Sequence, residues 1–225
     1  MTTPKALFFD VFGTCVDWRS SVIRAGAPFG LPPAFADDWR ARYQPQMETV
    51  RSGEREWTIL DVLHREALDA VLAAHGTDLS PERRDELNLV WHRLDPWPDT
   101  VPGLTQLKER FVIAPVSNGN IALLVDMARH AGLPWDAILG AELARAYKPQ
   151  PEAYLRSVEA LGIAPGEAMM VAAHNADLVA AAELGLMTAF VPRPHEHGPG
   201  QTSDLRAAET YDVVATDFID LAAAL

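Results

Sequence analysis

Short apolar runs recur at wide intervals along this chain, and the stretches between them carry apolar residues at helical spacing. Residues 6–9, 112–116, 168–172 and 188–191 are runs of this kind, each closing on turn or polar residues, as strands buried on both faces of a parallel sheet do. Residues 213–215 offer a fifth. Helical patterns at 121–131, 151–161 and 176–184 fall between them. Strand alternating with helix implies right-handed crossovers, so the expected core is α/β, a Rossmann-like doubly wound parallel sheet.

One region breaks the rhythm. Residues 17–94 contain helix-compatible stretches at 33–51, 59–75 and 81–94 and no convincing strand, which reads as a helical insertion after the first strand. Prolines 96, 98 and 102 mark the return to the core, where helix is disfavoured. The expected division is a core domain of residues 1–15 and 96–225 and a helical cap domain of residues 16–95.

Open parallel sheets bind ligands beyond the carboxyl ends of their strands, so functional side chains are expected just after each apolar run. Asp10 follows the first, Ser117 and Asn118 the second, and His174, Asn175 and Asp177 the third. Asp10 opens into a turn at Gly13, a residue free to take positive φ. Taken alone, Asp10 equally fits a turn cap, and Ser117-Asn118-Gly119 equally fits an ordinary turn. Lys148, before Pro149, stands in a loop from which an ammonium can reach a carboxylate, although a lone lysine is more often solvated. Asp177 suits a helix N-cap as well as a site. His174 is the residue of its turn whose unperturbed pKa suits it to take a proton from water near neutrality.

Composition narrows the ligand. The chain has 225 residues, 48% of them hydrophobic, enough for a sizeable core. Nineteen Lys and Arg against 31 Asp and Glu give a net charge of -12, which opposes nucleic acid and anionic membranes as partners. A small anion is still accessible to a pocket with its own Arg or Lys. The single cysteine, Cys15, forms no internal disulfide, and with neither a signal-peptide pattern nor a run long enough to span a bilayer the expected location is the cytoplasm.

The order and spacing of Asp10, Ser117 with Asn118, Lys148 and Asp177 resemble the four motifs of the haloacid dehalogenase superfamily over nearly the full chain. The resemblance implies that Asp10 is a nucleophile oriented by Ser117 and Lys148. Phosphatases of that superfamily usually carry an acid two positions after the nucleophile and bind Mg²⁺. This chain has Phe12 there, and a phenyl ring neither protonates a leaving group nor ligates a hard cation. The departure resembles instead the (S)-2-haloacid dehalogenases, which have an aromatic residue at that place and use no metal or other cofactor.

Further segments carry that likeness. Trp39-Arg-Ala-Arg-Tyr43 resembles the dehalogenase segment whose arginine binds substrate, which points to Arg40, with Arg42 as the competitor. Lys148-Pro-Gln-Pro-Glu-Ala-Tyr154 matches another, carrying over Lys148 and Tyr154. The His174-Asn175 pair and the segment FVPRPHEHGPGQ resemble a subset that includes enzymes active on fluorinated acids.

The resemblance implies catalytic roles for Asp10, Lys148, His174 and Asp177, with Phe12, Thr14, Arg40, Ser117, Asn118, Tyr154 and Asn175 about a small haloacid substrate. Phe12, Trp18, Trp39 and Trp57 are candidates for an apolar wall, or are ordinary core residues. Dimers are common in that family, and no segment of this chain marks such an interface.

Overall fold

The computed structural model describes residues 3–225. Eight strands are present among them: β1 (Ala6–Phe9), β2 (Val16–Asp17), β3 (Asp95–Pro96), β4 (Val112–Ser117), β5 (Leu139–Gly140), β6 (Ala168–Ala172), β7 (Met187–Phe190) and β8 (Val213–Val214). Six form one parallel sheet in the order β5-β4-β1-β6-β7-β8. The order reverses at β1, between β4 and β6, so the crevice at the strand ends opens where Asp10 emerges.

The apolar runs became central strands because both of their faces are covered. Leu7 and Phe9 of β1 and Met169 and Val171 of β6 point into one core, whereas Ala6, Phe8, Met170 and Ala172 point into another on the opposite face. Helices Thr100–Lys108, Ile121–Ala131 and Phe218–Ala224 cover the first face, and Pro151–Ala160 and Asn175–Glu183 cover the second. Each fully buried Phe contributes about 1.5–3 kcal/mol, which makes Phe8 and Phe9 strong determinants of β1.

The first core continues without a break into the helical insertion. Helices Trp18–Gly26, Ala34–Arg40, Tyr43–Arg51, Leu60–Ala74 and Pro81–Asn88 occupy it, followed by a 3-10 turn at Leu89–His92. The short antiparallel ladder of β2 and β3 closes its neck, pairing Val16 with Pro96 and Asp17 with Asp95. No helix among the described residues is long and apolar enough to cross a membrane.

Prolines account for two departures from expectation. The stretch 33–51 is two helices, because Pro45 has no amide hydrogen and would clash with the carbonyl of residue 41 in a continuous helix. Pro45 instead lies in the first turn of Tyr43–Arg51, where no such bond is required. Residues near Pro102, where helix was disfavoured, form Thr100–Lys108 for the same reason, with Pro102 in its first turn. Gly103 then lets this helix approach Phe218 closely, since a Cβ there would meet that residue's Cβ at 2.4 Å.

Candidate active site

β1 delivers Asp10 to the sheet's carboxyl edge, where its amide donates to the Val171 carbonyl at 3.0 Å and anchors the strand end. Asp10 is 7% exposed, and both of its carboxylate oxygens are engaged. Oδ1 accepts from Lys148 Nζ at 2.9 Å, and Oδ2 accepts from Thr14 Oγ1 at 2.7 Å and meets His174 Nδ1 at 3.0 Å. Burial alone would raise the Asp10 pKa, but the Lys148 charge and the His174 and Thr14 bonds outweigh it and hold the group well below the usual carboxylate range. Asp10 is therefore ionised at neutral pH despite its burial.

Lys148 sits between two carboxylates. Its Nζ also donates to Asp177 Oδ2 at 2.5 Å, and the hydroxyl of Tyr154 donates to Asp177 Oδ1 at 2.6 Å. Asn118 holds the Lys148 backbone, its Oδ1 accepting from that amide at 2.8 Å. Burial works against the ammonium, but Asp10 and Asp177 raise its pKa further than burial lowers it. Burial raises Asp177 above the ordinary range, partly offset by Lys148 and reinforced by the Asp10 charge. Asp177 lies in the first turn of Asn175–Glu183, where the helix dipole favours an acid, and His174 takes the N-cap position.

His174 has a second partner that the sequence reading did not name. Its Nε2 meets Glu196 Oε2 at 2.8 Å, and the other Glu196 oxygen accepts from Trp18 Nε1 at 3.0 Å. Glu196 is 1% exposed and sits against Gly13, whose absent side chain makes room for it. A Cβ on Gly13 would come within 2.0 Å of the Glu196 carboxylate, and φ at Gly13 is +87°, so glycine is required twice over. Arg193 fastens the loop that carries Glu196, donating to the Thr14 carbonyl at 2.8 Å and to both Asp99 oxygens at 2.7 and 2.9 Å.

Burial alone would lower the His174 pKa, but its bonds to Asp10 and Glu196 raise it well above the ordinary imidazole value. The resting ring is thus an imidazolium, unlike the neutral base expected from its unperturbed pKa. Glu196 is lowered, because its bond to His174 outweighs its burial.

Above these groups lies a cavity of about 550 Å³, closed on the far side by the insertion. Asp10, Phe12, Arg40, Asn118, Lys148, Tyr154, His174 and Asp177 line it together with Trp18, Tyr43 and Glu196. The Arg40 guanidinium carbon stands 3.9 Å from the Tyr43 ring centre and 5.3 Å from that of Trp18. Its Nη1 is buried without a hydrogen-bond partner among the described residues. Arg42 is exposed, which separates the two competing arginines.

Other sequence candidates fall elsewhere. Thr14 reaches Asp10 from behind, and its Oγ1 also accepts from the Ala173 amide at 2.9 Å. Ser117 is buried and does not line the cavity; its hydroxyl accepts from the Gly119 amide at 3.1 Å and shapes the turn. Asn175, expected at the substrate, faces away because Asp204, Ala208 and Tyr211 take up its amide group, making it an anchor for that loop. Trp39 lies behind the cavity, donating to the His64 carbonyl, and Trp57 packs on Tyr147.

Glu196 had a legible signal: it stands in the loop after the fourth apolar run, between two histidines. Tyr43 and Trp91, which pack edge-on against Phe12, had none beyond their aromatic character.

A parallel sheet with a buried carboxylate at its switch point, facing a cavity under a helical insertion, is the frame of a hydrolase. Residues 4–185 match the family model for haloacid dehalogenase-like hydrolases, and the chain belongs to that family. It is similar to a solved defluorinating L-2-haloacid dehalogenase, with 52% identity and a TM-score of 0.96 over 99% of this chain and 95% of that one. A second solved L-2-haloacid dehalogenase is 46% identical, with a TM-score of 0.95 over 99% of this chain and 98% of that one. The (S)-2-haloacid dehalogenase 4A of Burkholderia cepacia is 28% identical over 84% of this chain and 83% of its own length.

Proposed function

We propose that the protein is a cytoplasmic, metal-independent (S)-2-haloacid dehalogenase that converts short 2-haloalkanoic acids to 2-hydroxy acids. In this reading residues 16–95 act as a cap over a core of residues 1–15 and 96–225. One observation carries it: a buried, ionised Asp10 faces the cavity with Phe12, not an acid, two positions on, while the Lys148 ammonium fills the gap between Asp10 and Asp177. Phe12 leaves no acid at the place where a phosphatase of this superfamily protonates its leaving group, which disfavours the phosphatase alternative. The similarity to L-2-haloacid dehalogenases over nearly the whole chain supports the same reading.

The mechanism has two steps. A carboxylate oxygen of Asp10 attacks C2 in line with the carbon–halogen bond, halide departs, and an ester forms with inversion at C2. Water then attacks the Asp10 carbonyl carbon, and the ester oxygen leaves as the 2-hydroxyl of the product. Carboxylates are adequate nucleophiles when desolvated and aimed, and the aromatic wall of the insertion provides the dry surface. Arg40, with its unpartnered Nη1, supplies positive charge for the substrate's anionic end and for the departing halide. Lys148 keeps Asp10 ionised before attack, with Tyr154, Asp177 and Asn118 holding that lysine in place.

The test is halide release from (S)-2-chloropropanoate in the presence of EDTA, read with a chloride electrode. Wild-type protein turns over, and Asp10→Ala loses roughly 10⁴-fold or more, the scale expected for removing a nucleophile. A strict requirement for Mg²⁺, or an Asp10→Ala variant that retains turnover, rejects the reading.

A further inference from the structure

Both ring nitrogens of His174 face carboxylates, Asp10 Oδ2 at 3.0 Å and Glu196 Oε2 at 2.8 Å. An ionised carboxylate only accepts hydrogen bonds, and a neutral imidazole has a single N–H. A neutral ring would set a lone pair against one of these oxygens, so this geometry requires N–H at both positions. His174 in the resting site has no lone pair with which to activate water.

The nucleophile and the base are thus joined by one proton. We propose that esterification of Asp10 is the event that makes His174 a base: the Nδ1 proton is released after the halide departs, and Glu196, bonded at Nε2, holds the ring so that the vacated Nδ1 takes a proton from the attacking water. Glu196 is a positioning residue in this scheme, since it acts through His174. The proposal rests on the ester reading given above.

The steps balance. In the first, the Asp10–C2 bond forms, the carbon–halogen bond breaks with its electron pair going to halide, and the carboxylate loses its charge by becoming an ester. His174 then faces one anion instead of two, and its Nδ1 proton passes to solvent. In the second, water attacks the Asp10 carbonyl carbon, Nδ1 takes one water proton, the acyl–oxygen bond breaks, and the other proton ends on the 2-hydroxyl. Asp10 is again a carboxylate and His174 again an imidazolium. One halide and one proton have been released, both before hydrolysis.

The surrounding charges fit this order. His174 faces Asp10 from the β1 loop and Glu196 from the loop after β7. Lys148 lies against Asp10 and Asp177, His197 is 3.6 Å from Glu196, and Arg40 faces the same cavity from the insertion. Of the groups bonded to the ring, only Asp10 changes charge in the reaction. An attack on C2 by Asp10 therefore both removes a restraint on the Nδ1 proton and creates the bond that water must break. Water activated before esterification would be wasted, and the resting imidazolium prevents it.

The experiment is a single turnover with enzyme in excess over (S)-2-chloropropanoate, in a weakly buffered, mildly alkaline solution with a pH-indicator dye. Acid-quenched samples are weighed by intact mass to follow the ester. The proton is expected with the rise of ester mass, with none during its decay. A proton that appears as the ester decays overturns the proposal. Absence of any added mass or halide overturns the ester reading itself, and this proposal with it, a result distinct from a mistimed proton.

Glu196→Gln keeps an acceptor for Nε2–H without the charge. It is expected to shift the acid limb of the ester-decay rate down by about one pH unit and to lower the proton burst per enzyme. An unchanged pH profile in this variant removes Glu196 from the mechanism.

Discussion

The floor and the roof of the cavity are built on opposite principles. The floor, at the ends of the strands, is a chain of charged groups in which Tyr154, Asp177, Lys148, Asp10, His174 and Glu196 are joined hand to hand by hydrogen bonds. The roof, from the insertion and its neck, is aromatic: Phe12, Trp18 and Tyr43 surround Arg40, whose Nη1 has no partner among the described residues, and Trp39, His64 and Trp91 pack behind them. The floor is satisfied internally and presents reacting atoms in fixed orientation. The roof excludes water and leaves one cationic group unsatisfied, a state suited to an arriving anion.

Two histidines, His174 partly exposed and His64 buried, show the same contrast. His174 has carboxylates at both nitrogens and is raised well above its ordinary pKa. His64 is stacked on Trp91 at 4.3 Å with neither nitrogen partnered among the described residues, and burial, then the charge of Arg40, push it well below that value. Identical side chains are shifted in opposite directions because one enclosure supplies anions and the other supplies rings.

If the roof is chiefly packing, damage to it should appear first as lost stability. Phe12→Ala removes a ring 2% exposed and is expected to lower unfolding free energy by about 3–5 kcal/mol, read from urea denaturation. A loss below about 1 kcal/mol would show that the roof is loosely packed. Arg40→Gln is expected to act the other way, costing roughly 10- to 100-fold in kcat/KM for chloropropanoate while stability changes by less than about 1 kcal/mol, because the guanidinium's contacts with the Tyr43 and Trp18 rings are lost together with its unpartnered Nη1. Unchanged kinetics would leave Arg40 a packing residue.

The smallest effect is expected between the two regions, where His92 of the insertion meets Asp61 at 3.0 Å and Asp126 of the core at 2.9 Å. Burial opposes its charge, but the two aspartates raise its pKa in the fold. A raised histidine contributes stability that is fully present below its unfolded pKa of about 6.5 and lost as pH rises through the folded value. Melting temperature should therefore decline across that alkaline window. His92→Gln should flatten the decline, by less than about 1 kcal/mol, the scale of a partly solvated ion pair; an unaltered slope would assign the decline to other groups.

The contrast between floor and roof is also a contrast in legibility. Asp10, Asn118, His174 and Asp177 could be located because a buried strand announces itself by apolar residues and a parallel sheet puts chemistry just past its end. The same rule reaches Glu196 when carried to the loop after β7. Arg40 came from resemblance alone, since nothing in helix periodicity says which face of Ala34–Arg40 meets a cavity. Strands β2, β3 and β5 are two residues each, too short for any period to register, and are set by tertiary pairing. Asn175 misled because its neighbours are site residues, whereas its own amide is claimed by a loop some thirty residues on.

The ladder of β2 and β3 bears on how such a protein can change over generations. Val16 faces Pro96 and Asp17 faces Asp95, so the chain leaves the sheet and re-enters it at adjacent points. Seen from the sheet, everything between is a loop whose ends are already joined, and the cost of closing a loop grows only slowly with its length. Roofs of other sizes and linings can be exchanged at this neck without disturbing the register of the parallel strands. Selection can thus tailor the entrance to a new substrate while inheriting the reactive carboxylate intact.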